Sequence, residues 1–385
     1  MTRLTIELLD EKSIGRNYQL VALGIVLNDV SEDLRERIID GITTGSIELA
    51  SEEYELIRTK LAEYLQLVCM DDKKTPKLYT AGEPKDRDIL VRAGILRKED
   101  SSGGEKRARK NILCEHLVEA LRSLPVEKLS STVPVPMFLR TYMFSYYRHL
   151  SKTQEMSVAS LLLALTGSVV SLISRIQNNE VYIVPDASTT SVMYSKVIYD
   201  LFYLARQKGV IEYESILNKI MGLGGVSVDQ AVLMSLLIWL SHVKDVGGRL
   251  ASSINDAVAA SAFESFILVR IDSSGNRPLL VSATPATVSF VIRKLTAKGS
   301  LEVLPAINSL ISSKGIGGEI EDHVKSASSK CLNQLFMYIE TGVVDHLLEC
   351  SRDLVTLVDK ISGNQKTRNI ESSARRVLYY LSRLA

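Results

Sequence analysis

Between Glu155 and Arg175 the chain runs for 19 residues, Met156 to Ser174, without a charge. That length approaches what a membrane-spanning helix needs. The run nevertheless holds five serines, a threonine and a glycine, and the flanking Lys152 and Arg175 set no orientation across a bilayer. A helix buried in a folded core fits this composition better. Residues 156–176 are therefore expected to form one, with Leu161, Leu162, Leu165, Val169, Leu172 and Ile176 on one broad face. The second apolar run, Ala231 to Leu240, is too short to span, so no membrane partner is expected. Burying such a helix requires a sizeable core, and 385 residues with 46% apolar content can build one.

Beyond Met137 the apolar spacing is mainly helical, at about 137–150, 190–208, 212–221, 228–243, 286–298, 302–313, 322–341, 343–360 and 369–384. Two β signals interrupt it. Glu180 to Asp186, EVYIVPD, reads as a short buried strand stopped by Pro185. Phe263 to Ile271 and Arg277 to Ser282 read as a hairpin around Ser273-Ser274-Gly275-Asn276. Nearer the N-terminus, Leu4 to Leu9 suits a strand. Ser51 suits the cap of a helix whose stripe is Tyr54, Ile57, Leu61, Tyr64, Leu65 and Val68. A connector with Pro125, Pro134 and Pro136 is the expected boundary between a mixed region, 1–125, and a mainly helical region, 137–385. The fold class expected is mainly α with small β elements (α+β).

Lys and Arg total 46 against 45 Asp and Glu, so no global field attracts polyanions and any such contact must be local. One segment concentrates charge. A short helix, Asp86 to Val91, leads to Gly94-Ile95-Leu96 as a strand candidate. A turn, Ser101-Ser102-Gly103-Gly104, precedes the basic run from Lys106 to Lys110. Helix, strand, glycine-rich turn and basic strand is the order of a winged-helix unit. Arg97, Lys98, Lys106, Arg107, Arg109 and Lys110 are therefore candidate phosphate contacts, acting through Coulomb attraction and counterion release. A solvated loop would carry the same charges. Residues 138–149 interleave aromatics with Arg140 and Arg148, a pattern that suits either base stacking or a core helix. The C-terminal stretch adds Lys360, Lys366, Arg368, Arg375, Arg376 and Arg383, opposed only by Glu371. On its last helix the arginines would flank Val377, Leu378, Tyr380 and Leu381. A solvated face or a partner-docking helix accounts for that pattern as well as nucleic acid does.

Catalytic chemistry finds no foothold in the sequence. The loops at Gly222-Leu-Gly224-Gly225 and Gly315-Ile-Gly317-Gly318 lack the ending of a P-loop and follow helices, where glycine serves as a stop. Only Cys114/His116 and His346/Cys350 are locally paired, and neither gathers the further ligands a zinc site needs. No GxSxG elbow is present. No cofactor is expected. The four cysteines, Cys69, Cys114, Cys331 and Cys350, lie far apart without a CxxC pair. Reduced, buried thiols in a cytoplasmic chain are the expectation, in keeping with an N-terminus that lacks a long apolar signal core.

Val181 to Asp186, the hairpin FESFILVRIDSSGNRPLL from Phe263 to Leu280, and LFMYIETG from Leu335 to Gly342 carry a resemblance. In these segments the chain resembles the large subunit of archaeal type I-A CRISPR interference (Cascade) complexes. The similarity lies mainly after residue 180 and rests on no catalytic motif. It implies a non-catalytic subunit that binds crRNA-guided target DNA and reads the protospacer-adjacent motif. It also implies docking to other effector-complex subunits and to a separate helicase-nuclease. No individual functional residue carries over. The competing classes are a winged-helix transcription regulator and a structural assembly protein.

Overall fold

A computed structural model describes residues 3–11, 13–69, 84–97, 112–136, 139, 154–176, 179–186, 188–207, 212–245, 252, 255–258, 260–272, 279–313 and 318–385. The chain is mainly helical with small antiparallel sheets. It divides into two compact units, Met1–Asp200 with Ser265–Pro285, and Leu201–Glu264 with Ala286–Ala385. The proline-containing connector thus lies inside the first unit, where β3 (Thr132–Pro134) pairs with β4 (Glu155–Ser157).

In the first unit β1 (Arg3–Glu7) pairs antiparallel with β2 (Ser46–Ala50), and both alternate, so Leu4, Ile6, Ile47 and Leu49 face inward. Helix α1 (Ile14–Val26) is buried along its whole length and capped by Ser13, whose Oγ accepts from the Gly15 N–H. Helix α2 (Glu32–Thr44) starts at Ser31 and places Glu32 and Asp33 at the positive end of its dipole. Buried Arg16 donates to the carbonyls of Leu9 and Ile42, tying α1 to the end of α2. Helix α3 (Ser51–Val68) buries the six residues of its expected stripe. Its cap differs from the expectation, because Ala50 rather than Ser51 precedes the first turn. Glu53 reaches back to accept from the Ala50 N–H at 2.8 Å and satisfies that orphan donor.

The charge-free run is not a single helix. Met156 sits in β4, helix α7 spans Val158–Ser171, and Leu172–Ile176 forms strand β5. Every residue of α7 is buried. At Leu172 the backbone turns extended, and hydrogen bonds to β6 (Asn179–Pro185) replace continued helix. The hairpin β7 (Phe266–Asp272) and β8 (Leu279–Pro285) completes an antiparallel sheet in the order β5-β6-β7-β8. Tyr18 of α1 packs on Tyr182 of β6 with ring centroids 5.5 Å apart. Helix α8 (Thr189–Gln207) follows, and its Tyr199 donates to the Ile183 carbonyl. Between α3 and β3 lie α4 (Pro84–Arg92), α5 (Ile112–Ser123) and the single turn α6 (Val126–Leu129).

The second unit is helical among its described residues: α9 (Tyr213–Met221), α10 (Val228–Asp245), α11 (Val288–Ala297), α12 (Val303–Ile311), α13 (Glu319–Thr341), α14 (Asp345–Ile361) and α15 (Arg368–Leu384). Helices α13 and α14 form a hairpin turned at Gly342, whose φ of 72° suits a residue without Cβ. Phe202 stacks on Trp239 at 4.3 Å. Helix α15 buries Ile370, Ala374, Val377, Leu381 and Leu384, alternating four and three residues apart, against α12 and α14. Each fully buried aliphatic side chain there contributes about 1.5–3 kcal/mol, which fixes which face of α15 looks outward. Among the described residues no helix is long and apolar enough to cross a membrane.

Candidate nucleic-acid interface

The expected wing is only partly within the described residues. Helix α4 ends at Arg92, and Gly94 takes a φ of 78°. The amides of Ile95 and Leu96 both return to the Leu90 carbonyl, at 2.9 and 3.3 Å. Gly94-Ile95-Leu96 is therefore a helix stop and not the strand expected of a winged-helix unit. Its apolar residues, with Ile95 buried, close the helix end instead of pairing in a ladder. Arg97 is exposed and engages Glu119 of α5 through both carboxylate oxygens, at 3.0 and 3.1 Å. Lys98, Lys106, Arg107, Arg109, Lys110, Arg140 and Arg148 lie outside the described residues, as does the 138–149 aromatic pattern beyond Leu139.

The cysteines are corrected as well. Cys69 is bonded to Cys114, joining the end of α3 to α5, and Cys331 is bonded to Cys350 across the α13–α14 hairpin. The Cα atoms of the two pairs stand 5.8 and 4.2 Å apart. His346/Cys350 is accordingly no ligand pair, and His346 Nδ1 meets Gln334 Oε1 at 2.7 Å. His242 meets Asn308 at 2.9 Å, and His323 lies 3.4 Å from Glu319. Among the described residues no cluster of His, Cys, Asp and Glu gathers to hold a metal ion. In the Gly224-Gly225 loop both carbonyls are tied to α13, by Ser329 Oγ at 2.6 Å and Asn333 Nδ2 at 2.9 Å. That loop is anchored as structure, through oxygens that would repel an anion.

The C-terminal stretch is where the described cations gather. With the apolar stripe of α15 buried, Arg368, Arg375, Arg376, Tyr379 and Arg383 all face outward. Glu371 is the acid on this face, and Arg375 occupies it at 2.8 and 2.9 Å. Arg368 and Arg376 have no carboxylate in ion-pair range among the described residues. Tyr379 is 56% exposed, meets Tyr380 edge to face at 5.1 Å, and carries the Arg383 guanidinium 5.7 Å from its ring centre. Arg368, Glu371, Arg375, Arg376, Tyr379 and Tyr380 line a shallow groove of about 450 Å³, and Arg383 lies outside it. Its chemistry is a planar ring with the unneutralised Arg376 one turn away and Arg368 two turns beyond that. A ring can accept a base face and a guanidinium can hold a phosphate. The expected apolar face is refined: Val377 and Leu381 are buried, whereas Leu378 and Tyr380 are half-buried.

Phe290 on α11 belongs to no motif in the sequence. Its helix buries Val288, Val291, Ile292 and Leu295, spaced by three and four, and Phe290 falls off that stripe at 52% exposure. The off-stripe position was the available signal. No family model, curated protein or solved structure matches this chain.

Proposed function

We propose that this chain is a non-catalytic, nucleic-acid-binding subunit of an RNA-guided interference complex of the CRISPR type. In this reading the outer face of α15 is a principal contact with nucleic acid. The observation that carries the nucleic-acid part is that face: four arginines beside an exposed tyrosine, against one acid already paired within the helix. The assembly part rests on the resemblance in 181–186, 263–280 and 335–342. These segments fall in β6, in the β7–β8 hairpin and at the end of α13. Such a subunit would bind crRNA-guided target DNA next to the protospacer-adjacent motif and dock with other effector subunits and a separate helicase-nuclease.

Affinity purification of the tagged chain from its native cells tests this reading. Guide RNA and further effector subunits are expected to co-purify. Arg375→Glu with Arg376→Glu should keep the protein partners and lose much of the nucleic acid, because both residues are exposed and carry no part of the core. Recovery of a homodimer bound to a palindromic operator would put a transcription regulator in place of this reading.

A further inference from the structure

We infer that the α15 face, continued across the end of α11, binds single-stranded nucleic acid through its exposed rings and discriminates against duplex. The inference rests on the proposed nucleic-acid role and adds the class of strand.

Each of the two helices presents an exposed ring with a cation one turn on. On α11, Phe290 is 52% exposed and Lys294 stands one turn on, its Nζ 6.0 Å from that ring centre and 4.4 Å from the ring centre of Tyr338 on α13. On α15, Tyr379 is 56% exposed and Arg383 stands one turn on, 5.7 Å from the ring centre. The surfaces join. Lys298, one further turn along α11, donates to the Leu384 carbonyl at 3.4 Å. Gly299 lies so close to Arg383 that a Cβ there would stand 3.4 Å from Nη2. Phe290 to Lys298 covers about 12 Å of helix and Tyr379 to Arg383 about 6 Å. The result is a track with a ring towards each end and Lys294, Lys298 and Arg383 between them. Arg375 and Arg376 lie beyond Tyr379.

Cations alone do not choose a strand type, because both forms offer phosphates. Exposed rings do. In a duplex the base faces are covered by their neighbours, so a ring on a convex helix finds only the backbone. In a single strand each base offers an open face, and the cation one turn away meets the adjoining phosphate. A surface selected only for charge would gain nothing from an exposed phenylalanine, which loses free energy in water.

Fluorescence anisotropy with the full chain tests this, using a mixed-sequence DNA oligonucleotide of about 20 nucleotides and the same sequence as a duplex. The single strand is expected to bind more tightly. With about four phosphate contacts its affinity should fall with salt at a logarithmic slope of about −3. Tyr379→Ala and Phe290→Ala should each weaken single-strand binding roughly 5- to 100-fold and leave duplex binding unchanged. Tyr379→Trp should restore or strengthen it, which a merely structural role would not produce. Equal or tighter duplex binding, or single-strand affinity indifferent to both ring deletions, overturns the inference while the proposed function stands. Binding of neither form removes the nucleic-acid reading itself. Competition by poly-glutamate at matched charge would assign the face to an acidic protein and overturn the inference too.

Discussion

Replacing Gly167 by alanine sets two effects of known sign against each other. In an unencumbered helix Gly→Ala stabilises by about 1 kcal/mol. Here a Cβ at Gly167 would stand 1.8 Å from the carbonyl oxygen of Tyr18, 2.6 Å from its carbon and 3.0 Å from its Cα. These are backbone atoms, so no rotamer change relieves the overlap, and α1 and α7 would have to part by roughly 1.5 Å to reach ordinary contact. α1 has little room to move. A Cβ at its own Gly24 would already lie 2.5 Å from the Val192 carbonyl oxygen of α8, and Tyr18 is held against Tyr182. Overpacking costs about 1–3 kcal/mol, and more where backbone must move. The net expectation for Gly167→Ala is a loss of about 2 kcal/mol in the first unit. Hydrogen exchange read on peptides covering 14–26 and 158–171 isolates that unit from the other. A variant with equal or greater protection would refute the close packing of α1 on α7.

Three further outcomes follow from particular contacts. Cys69→Ser with Cys114→Ser opens a closure 45 residues long, which on the chain-entropy model lowers stability by about 4 kcal/mol under non-reducing conditions. Thiol titration of the unfolded, unreduced chain should find none, and four would sink the pairing. Arg16→Leu leaves the Leu9 and Ile42 carbonyls without their donor and should cost about 2–3 kcal/mol, measured by urea unfolding; an unchanged midpoint would contradict that role. The Arg37 hydrogen bond, reinforced by the Ala50 amide, holds the Glu53 carboxyl below its ordinary value of 4.5. Its stabilisation is therefore complete above that value and lost as pH falls through the lowered one. Glu53→Gln should flatten stability against pH below about 4.5. An acid slope identical to the parent would place the titration elsewhere.

The helices with one wet face were legible almost to their ends. For α14 and α15 the spacing gave 343–360 and 369–384, and the helices run Asp345–Ile361 and Arg368–Leu384. Burial on all sides can blur that signal, although α10, buried from Ala231 to Ser241, was still legible. Met156 to Ile176 reads the same whether it forms a helix or a strand, because nothing along it faces water, and only pairing with β6 ends the helix at Ser171. The β3–β4 pair escaped because three residues are too few to establish a period, whereas β1, at five, was read as a strand and β2, of the same length, was not. At the candidate site the arginines were visible as letters. Their exposure, the pairing of Arg375 with Glu371 and the meeting of Arg383 with the end of α11 are products of packing. The cysteine pairs, 45 and 19 residues apart, depend on which helices become neighbours.

The central claim is that the outer surface of α15 and α11 touches nucleic acid. Ultraviolet crosslinking of the full chain to a single-stranded oligonucleotide carrying bromodeoxyuridine, with the adducts mapped by mass spectrometry, tests it most directly. Adducts on Tyr379 or Phe290, lost when Arg375 and Arg376 are replaced by glutamate, are the predicted result. Adducts confined to residues 1–200, with none on either helix, would contradict it.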